Sequence, residues 1–171
     1  YLDAVCVTGG EPLIRIDKEF LKKIKQLGLA IKIDTNGSFP DTLNSLISEG
    51  LINYVAMDVK STPENYNKLT DSEVDLKDIE KSIKIISSSQ NLEDYEFRTT
   101  IIQDIHTKDE VLKITKWLNE ICGHKPKKYF LQAFKKEAIL LNSEFKNKPN
   151  TSEEYLKELQ WIIKDEFEKV G

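Results

Sequence analysis

The sequence predicts an α/β protein built on a parallel sheet. Three observations carry that prediction. Short apolar runs alternate with amphipathic segments, strand then helix, five times along the chain. Strict alternation of this kind points to parallel strands joined by right-handed crossovers. The unusual polar residues inside apolar runs fall at the same end of each predicted strand. Finally, 171 residues without a linker or low-complexity tract fit one domain with a full core.

The elements follow in order. "AVCVTGG" reads as a strand ending in two glycines, with Cys6 as plain core. "KEFLKKIKQLG" is a helix with Phe20, Leu21, Ile24 and Leu27 on its buried face and Gly28 as its stop. "LAIKIDTNG" is the second strand. "DTLNSLISEG" is a short helix that turns Leu43, Leu46 and Ile47 inward and ends at Gly50. "INYVAMDVKS" is the third strand, followed by the polar connection "TPENYNKLTDSEVD". A helix from Leu76 to Ser88 carries Ile79, Ile83 and Ile86. "YEFRTTIIQ" is β-branched and strand-like. "KDEVLKITKWLNEIC" is a helix that buries Val111, Leu112, Thr115, Leu118 and Cys122. "KKYFLQAF" is the fifth strand, and Glu137 to Asn150 reads as a loop. "TSEEYLKELQWIIKDEFEKV" closes the chain as one helix. Thr151 and Glu154 form its capping box, and Tyr155, Leu159, Ile162 and Ile163 its apolar stripe.

Composition narrows the function classes. A net charge of −4 argues against a general nucleic-acid binder. No apolar stretch is long enough to span a bilayer, and no signal peptide is visible, so a membrane location is not expected. Two cysteines, Cys6 and Cys122, give no disulfide framework and fit a reducing, cytoplasmic setting.

Ligands of parallel α/β folds bind at the carboxyl ends of the strands. Those ends are Thr8-Gly9-Gly10-Glu11-Pro12, Asp34-Thr35-Asn36-Gly37, Asp58-Val59-Lys60, Gln103-Asp104-Ile105-His106 and Gln132-Ala133-Phe134. Taken singly, Gly9-Gly10 and Asn36-Gly37 read as tight turns. Asp58 and Lys60 share one side of an apolar strand, and a buried charge there needs a partner or a ligand. His106 alone reads equally well as a surface residue, and His124 has no motif around it.

Together the motifs carry a resemblance. "VTGGEPL" resembles the GGEP motif of radical S-adenosylmethionine enzymes. The similarity continues through "KIDTNGS", "YVAMDVKS", "YEFRTTIIQDIH" and "KKYFLQAF", in that order and over nearly the whole chain. It is strongest to activating enzymes of glycyl-radical proteins, of the anaerobic ribonucleoside-triphosphate reductase and pyruvate formate-lyase activating types. The resemblance implies a partial, open (β/α) barrel holding family strands two to six, in a single core domain over residues 1–171. It implies that Thr8, Gly9, Gly10, Glu11 and Pro12 form the turn whose main chain approaches S-adenosylmethionine. Glycine there leaves room for the approach and tolerates the backbone angles. By the same resemblance Asp34 and Asn36 line the pocket, and Asp58 and Lys60 lie near the methionine moiety. His106 approaches from the far side, and Arg98 is inward or paired. Asp34 and Asp58 are also placed to share a cation.

Such enzymes hold a [4Fe–4S] cluster on three cysteines of a CxxxCxxC loop, because iron–sulfur clusters take thiolate ligands. This sequence has no such loop. The resemblance puts it upstream of Tyr1, so the chain is expected to be an N-terminally truncated enzyme. The intact form is expected to cleave S-adenosylmethionine reductively and to generate a glycyl radical on a partner. That partner would be a glycyl-radical enzyme such as the anaerobic ribonucleotide reductase, with flavodoxin or ferredoxin as electron donor. The fragment is expected to self-associate through its exposed first strand. Two alternatives stay open: a cluster-less barrel serving as a binding module, and a barrel enzyme holding phosphate at Gly9-Gly10 and a metal at Asp34 and Asp58.

Overall fold

The computed structural model describes residues 2–136, 145 and 147–171. Most of the segment read as a loop between Glu137 and Asn150 lies outside the described residues. Six strands follow one another in the sheet order β1–β2–β3–β4–β5–β6: β1 Ala4–Val7, β2 Ala30–Thr35, β3 Tyr54–Asp58, β4 Asp94–Ile101, β5 Lys128–Ala133 and β6 Lys169–Val170. Among the described residues the α-helices are α1 Lys18–Gln26, α2 Pro40–Ser48, α3 Tyr66–Thr70, α4 Leu76–Ser88, α5 Lys108–Cys122 and α6 Glu153–Ile163. The chain divides into two compact units, residues 1–59 with 75–97, and residues 60–74 with 98–171, so β4 begins in the first and ends in the second.

In the first unit β1 pairs parallel with β2, Val5 opposite Ile31 and Val7 opposite Ile33, and β2 pairs parallel with β3, Ile33 opposite Val55 and Thr35 opposite Met57. Ile31, Ile33, Val55 and Met57 are all fully buried. They share one side of the pleat, against Leu21, Leu43, Leu46, Ile79 and Ile83 of the helices, which are also fully buried. The opposite side of the same strands carries Lys32, Asp34, Tyr54 and Asp58. There Lys32 Nζ lies 3.1 Å from Glu96 and 3.7 Å from Asp34, and the Tyr54 hydroxyl donates to Glu96 at 2.7 Å. The sheet is therefore apolar toward the helices and polar on its other side.

In the second unit β5 pairs parallel with β6, Tyr129 opposite Val170. Thr99 and Tyr129 share a buried hydroxyl–hydroxyl bond of 2.6 Å, and Tyr129 packs on Phe167 with ring centroids 4.7 Å apart. Burial drives the Tyr129 hydroxyl far above its ordinary pKa, so it stays protonated.

The structure corrects several local expectations. The closing helix stops at Ile163, and the chain returns to the sheet as β6; "DEFEKV" has the composition of a helix, but Phe167 is buried against Tyr129 and the main chain pairs with β5. The connection after β3 contains the short helix α3. Ser152, not Thr151, caps α6, accepting from the Tyr155 N–H at 3.2 Å. Thr151 is occupied elsewhere: its N–H bonds Phe134 and its hydroxyl donates to the Ile101 carbonyl. Cys6 is exposed rather than core, because its alternate face of β1 is uncovered. On α1 only Leu21 and Ile24 are buried; Phe20 and Leu27 are exposed. On α5 Leu112 is exposed, and Glu110, Ile114 and Trp117 take buried positions instead.

Candidate cofactor-binding site

The first unit brings the ends of β1 and β2 together through one carboxylate. After Val7 the chain passes Thr8, Gly9 and Gly10, all exposed, and enters a 3-10 turn at Pro12–Ile14. Pro12 suits the first position of that turn, where its fixed φ is already right and no N–H is needed. Glu11 caps the turn: its Oε1 accepts from the Leu13 N–H at 3.1 Å. The same oxygen accepts from the Thr35 hydroxyl at 2.9 Å, and Oε2 accepts from the Asn36 N–H at 2.6 Å. Glu11 thus ties the glycine turn to the end of β2 with three charge-assisted bonds.

Two glycines matter for different reasons. Gly9 has φ +131°, a conformation that L-residues rarely adopt. Gly10 carries no such backbone demand, and a Cβ built there would meet no atom within 4 Å. Nothing among the described residues packs into the space at Gly10.

The end of β2 is a folded turn. The Thr35 hydroxyl accepts from the Gly37 N–H at 3.1 Å, and Asn36 Oδ1 accepts from the Ser38 N–H at 2.9 Å. The Ser38 bond fixes which end of the Asn36 amide is oxygen. Gly37 has φ +81°, and a Cβ there would stand 2.1 Å from Met57 Cε. Its carbonyl accepts from the Ser82 hydroxyl at 2.7 Å. Asn36-Gly37 is therefore both a turn and a close approach of backbone to the buried Met57. Asp34 is half-buried beside Lys32, and Asp58 is half-buried at the end of β3. Among the described residues no group of three or more His, Cys, Asp or Glu side chains stands close enough to hold a metal ion.

The second unit contains Lys60, Arg98 and His106. Arg98 alternates with the buried Phe97 and Thr99 and is half-buried on the other side of β4. Lys60 is half-buried, and its N–H donates to the Tyr66 hydroxyl at 3.4 Å. His106 is 0% exposed. Its Nδ1 accepts from the Ile102 N–H at 3.0 Å, so the ring proton sits on Nε2 and is donated to the Lys60 carbonyl at 2.9 Å. Burial pushes the His106 pKa down, against smaller upward pulls from the Lys60 carbonyl and Glu110. The imidazole is a neutral ring with both nitrogens engaged by protein.

Glu110 was not singled out by sequence reasoning. It is buried in the first turn of α5, and one oxygen accepts from Ser61 at 3.1 Å, Thr62 at 2.7 Å and Asn65 at 3.0 Å. Burial pushes its pKa up, but the bonds from Asn65, Thr62 and Ser61 outweigh that, and the net shift is downward. The sequence signal was the spacing Thr107 to Glu110, a capping box in form; Thr107 Oγ1 accepts from the Glu110 N–H at 3.3 Å. A groove of about 430 Å³ in the same unit runs along α5 between Leu112, Asn119 and Glu166 and holds none of the predicted residues.

The residues at the first-unit turn fit S-adenosylmethionine to this extent: the exposed Gly10 leaves main-chain groups within reach of a ligand. An iron–sulfur cluster has no such fit: Cys6 is exposed on β1, Cys122 lies at the end of α5, and no third cysteine exists in the sequence. No helix among the described residues is long and apolar enough to cross a membrane.

Comparison with known proteins agrees with this reading of the fold. Residues 1–118 match the model of the Radical SAM superfamily. A Methanocaldococcus jannaschii protein, "Putative glycyl-radical enzyme activating enzyme", is 33% identical over 175 residues, spanning 99% of this chain and 70% of its own. The 7-carboxy-7-deazaguanine synthase of Methanospirillum hungatei is 35% identical over 114 residues, 63% of this chain and 43% of its own. A crystal structure of a domain of pyruvate-formate lyase-activating enzyme from Bacteroides vulgatus superposes with a TM-score of 0.73 at 19% identity, over 98% of both chains. An archaeal TYW1 structure gives 0.67 at 15% identity, over 96% of this chain and 50% of its own. These bear out the α/β class and the open parallel sheet. The family's cofactors are S-adenosylmethionine and a [4Fe–4S] cluster. With the family model matching over two-thirds of its length, the chain belongs to the Radical SAM superfamily.

Proposed function

We propose that the chain binds S-adenosylmethionine at the glycine turn of its first unit and serves a glycyl-radical activating enzyme. The observation that carries the reading is Gly10: a residue whose missing side chain serves neither backbone conformation nor packing, beside a turn that Glu11 holds rigid. Space left open at a strand end is what a ligand approaching main chain requires. Bound there, S-adenosylmethionine supplies the adenosyl group used for hydrogen abstraction. The chain's own residues orient it. Gly9 and Gly10 present main-chain groups, Glu11 fixes the turn, and Asp34, Asn36 and Asp58 face the polar methionine end. Asp34 and Asp58 supply two oxygens toward a cation, the remaining ligands coming from outside the carboxylate pair. By the order of the family motifs Lys60 and Arg98 belong to the proposed site, and His106, with both ring nitrogens engaged by protein, enters it through Lys60. The two cysteines of this chain do not fit the cluster.

The activating role draws support from the name of the Methanocaldococcus relative, and its substrate is then a glycine in a partner protein. Flavodoxin or ferredoxin is the proposed electron donor. The synthase relative supports a second reading, a small-molecule substrate, over a shorter part of the chain. Calorimetry with S-adenosylmethionine tests the site. Asp58→Asn is expected to weaken binding at least about tenfold, which is about 1.4 kcal/mol. Unchanged affinity in a folded Asp58→Asn protein removes Asp58 from the site. The substrate is tested in cluster-bearing protein by electron paramagnetic resonance: a glycyl-radical doublet on an added glycyl-radical enzyme supports activation, and its absence alongside turnover of a small molecule supports the second reading.

A further inference from the structure

We propose that His106 and Glu110 are positioning residues that act together on the segment 60–65 and thereby set where the Lys60 ammonium stands. The inference rests on the S-adenosylmethionine reading for its functional meaning, and on geometry within the second unit for its mechanism. Both main-chain polar groups of Lys60 are held: the carbonyl by His106 Nε2–H at 2.9 Å, the N–H by the Tyr66 hydroxyl at 3.4 Å. Restraining both ends of a residue restrains its φ and ψ, and with them the direction of its Cα–Cβ bond. The next residues are held by one buried oxygen of Glu110, which collects Ser61, Thr62 and Asn65. His106 is itself fixed on three sides. Ile102 N–H sets its tautomer, its carbonyl accepts from the Tyr155 hydroxyl at 2.9 Å, and its ring is fully buried. A histidine that touched ligand would need a nitrogen to spare, and this ring has none. Its reach is to the Lys60 main chain.

Two variants separate positioning from simple structural support. Asn at 106 keeps an acceptor near Nδ1 for the Ile102 N–H but is too short to reach Lys60. Gln at 106 places an amide donor near Nε2 and loses the acceptor. Each loses one bond, so a purely structural role moves both alike. Hydrogen exchange is read over residues 60–66 of the full chain, and S-adenosylmethionine affinity by calorimetry. His106→Asn is expected to speed exchange in that segment about tenfold and to weaken affinity about tenfold, with His106→Gln returning both to within about threefold of wild type. Thr62→Val, which removes the 2.7 Å bond to Glu110 in a near-isosteric side chain, is expected to speed exchange in the same segment and serves if the His106 variants do not fold. Equal effects of Asn and Gln, or unchanged exchange in both His106→Asn and Thr62→Val, overturn the proposal. Faster exchange with unchanged affinity overturns the link to the ligand. A wild-type chain that binds no S-adenosylmethionine counts against the cofactor reading, while the exchange data still decide whether His106 and Glu110 hold segment 60–65.

Discussion

Glu11 and Glu110 do the same mechanical work in surroundings of opposite kind. Each gathers three donors and ties a strand-end loop to another element. Glu11 is half-buried and adjoins glycines whose far side is open. Glu110 is buried in α5, and two of its donors, Ser61 and Thr62, are buried with it. The sealed carboxylate can only support structure. The half-open one supports structure and leaves main chain bare beside it, which is the condition for binding. The difference separates scaffold from site more sharply than residue type does, since both are glutamates at loop ends.

The largest expected effect lies beside the open region, at Gly37. Alanine there meets Met57 Cε at 2.1 Å and takes a φ of +81°. The left-handed backbone costs about 1–2 kcal/mol and overpacking about 1–3 kcal/mol more. Gly37→Ala is therefore expected to lower stability by about 2–5 kcal/mol in urea unfolding, and a loss below about 1 kcal/mol would remove the close approach to Met57.

Next come the two carboxylates compared directly. Glu110→Ala leaves buried donors without their acceptor and is expected to cost about 2–4 kcal/mol. Glu11→Ala is expected to cost less, about 1–2 kcal/mol, because Glu11 is only half-buried and water can take the place of its carboxylate. Urea midpoints of the two variants check the order. A larger loss at Glu11 than at Glu110 breaks the contrast between open and sealed.

A smaller effect is expected from acid. The His106 pKa is lowered in the fold from an ordinary value of about 6.5, so the unfolded chain takes up the proton first. The stability this contributes is fully present above about pH 6.5 and is lost as pH falls below it. Glu110, also lowered, adds a loss as pH falls through its ordinary value of 4.5. Melting temperature followed from pH 7.5 down should fall below about pH 6.5, with a shallower fall in His106→Gln. Identical slopes in the two proteins would contradict a neutral, buried imidazole.

Much of the fold and part of the site were legible because they are local. The β/α rhythm, the glycine turn and the acid beside it lie in short stretches with one natural reading. What was not legible depends on residues far apart in sequence. Asn36-Gly37 read as a turn, and the packing against Met57, twenty residues on, is invisible in "DTNG". The His106 ring belongs to a carbonyl 46 residues away, and Glu110 to a loop 45 to 49 residues away. Alternation in "AVCV" shows that a strand has two faces but not which one is covered, and Cys6 lies on the uncovered one. The last strand was hidden because the pairing of Tyr129 with Val170 overrides the helical composition of "DEFEKV".

On the proposed reading the opening at Gly10 exists for a ligand. Gly10→Ala tests it most directly, because a Cβ there touches nothing within 4 Å and the backbone asks for no glycine. Urea unfolding and S-adenosylmethionine calorimetry are run on the same preparations. The expected result is stability within about 0.5 kcal/mol of wild type together with affinity reduced about tenfold or more. Native stability with undiminished affinity would contradict the account, since the open space would then hold nothing.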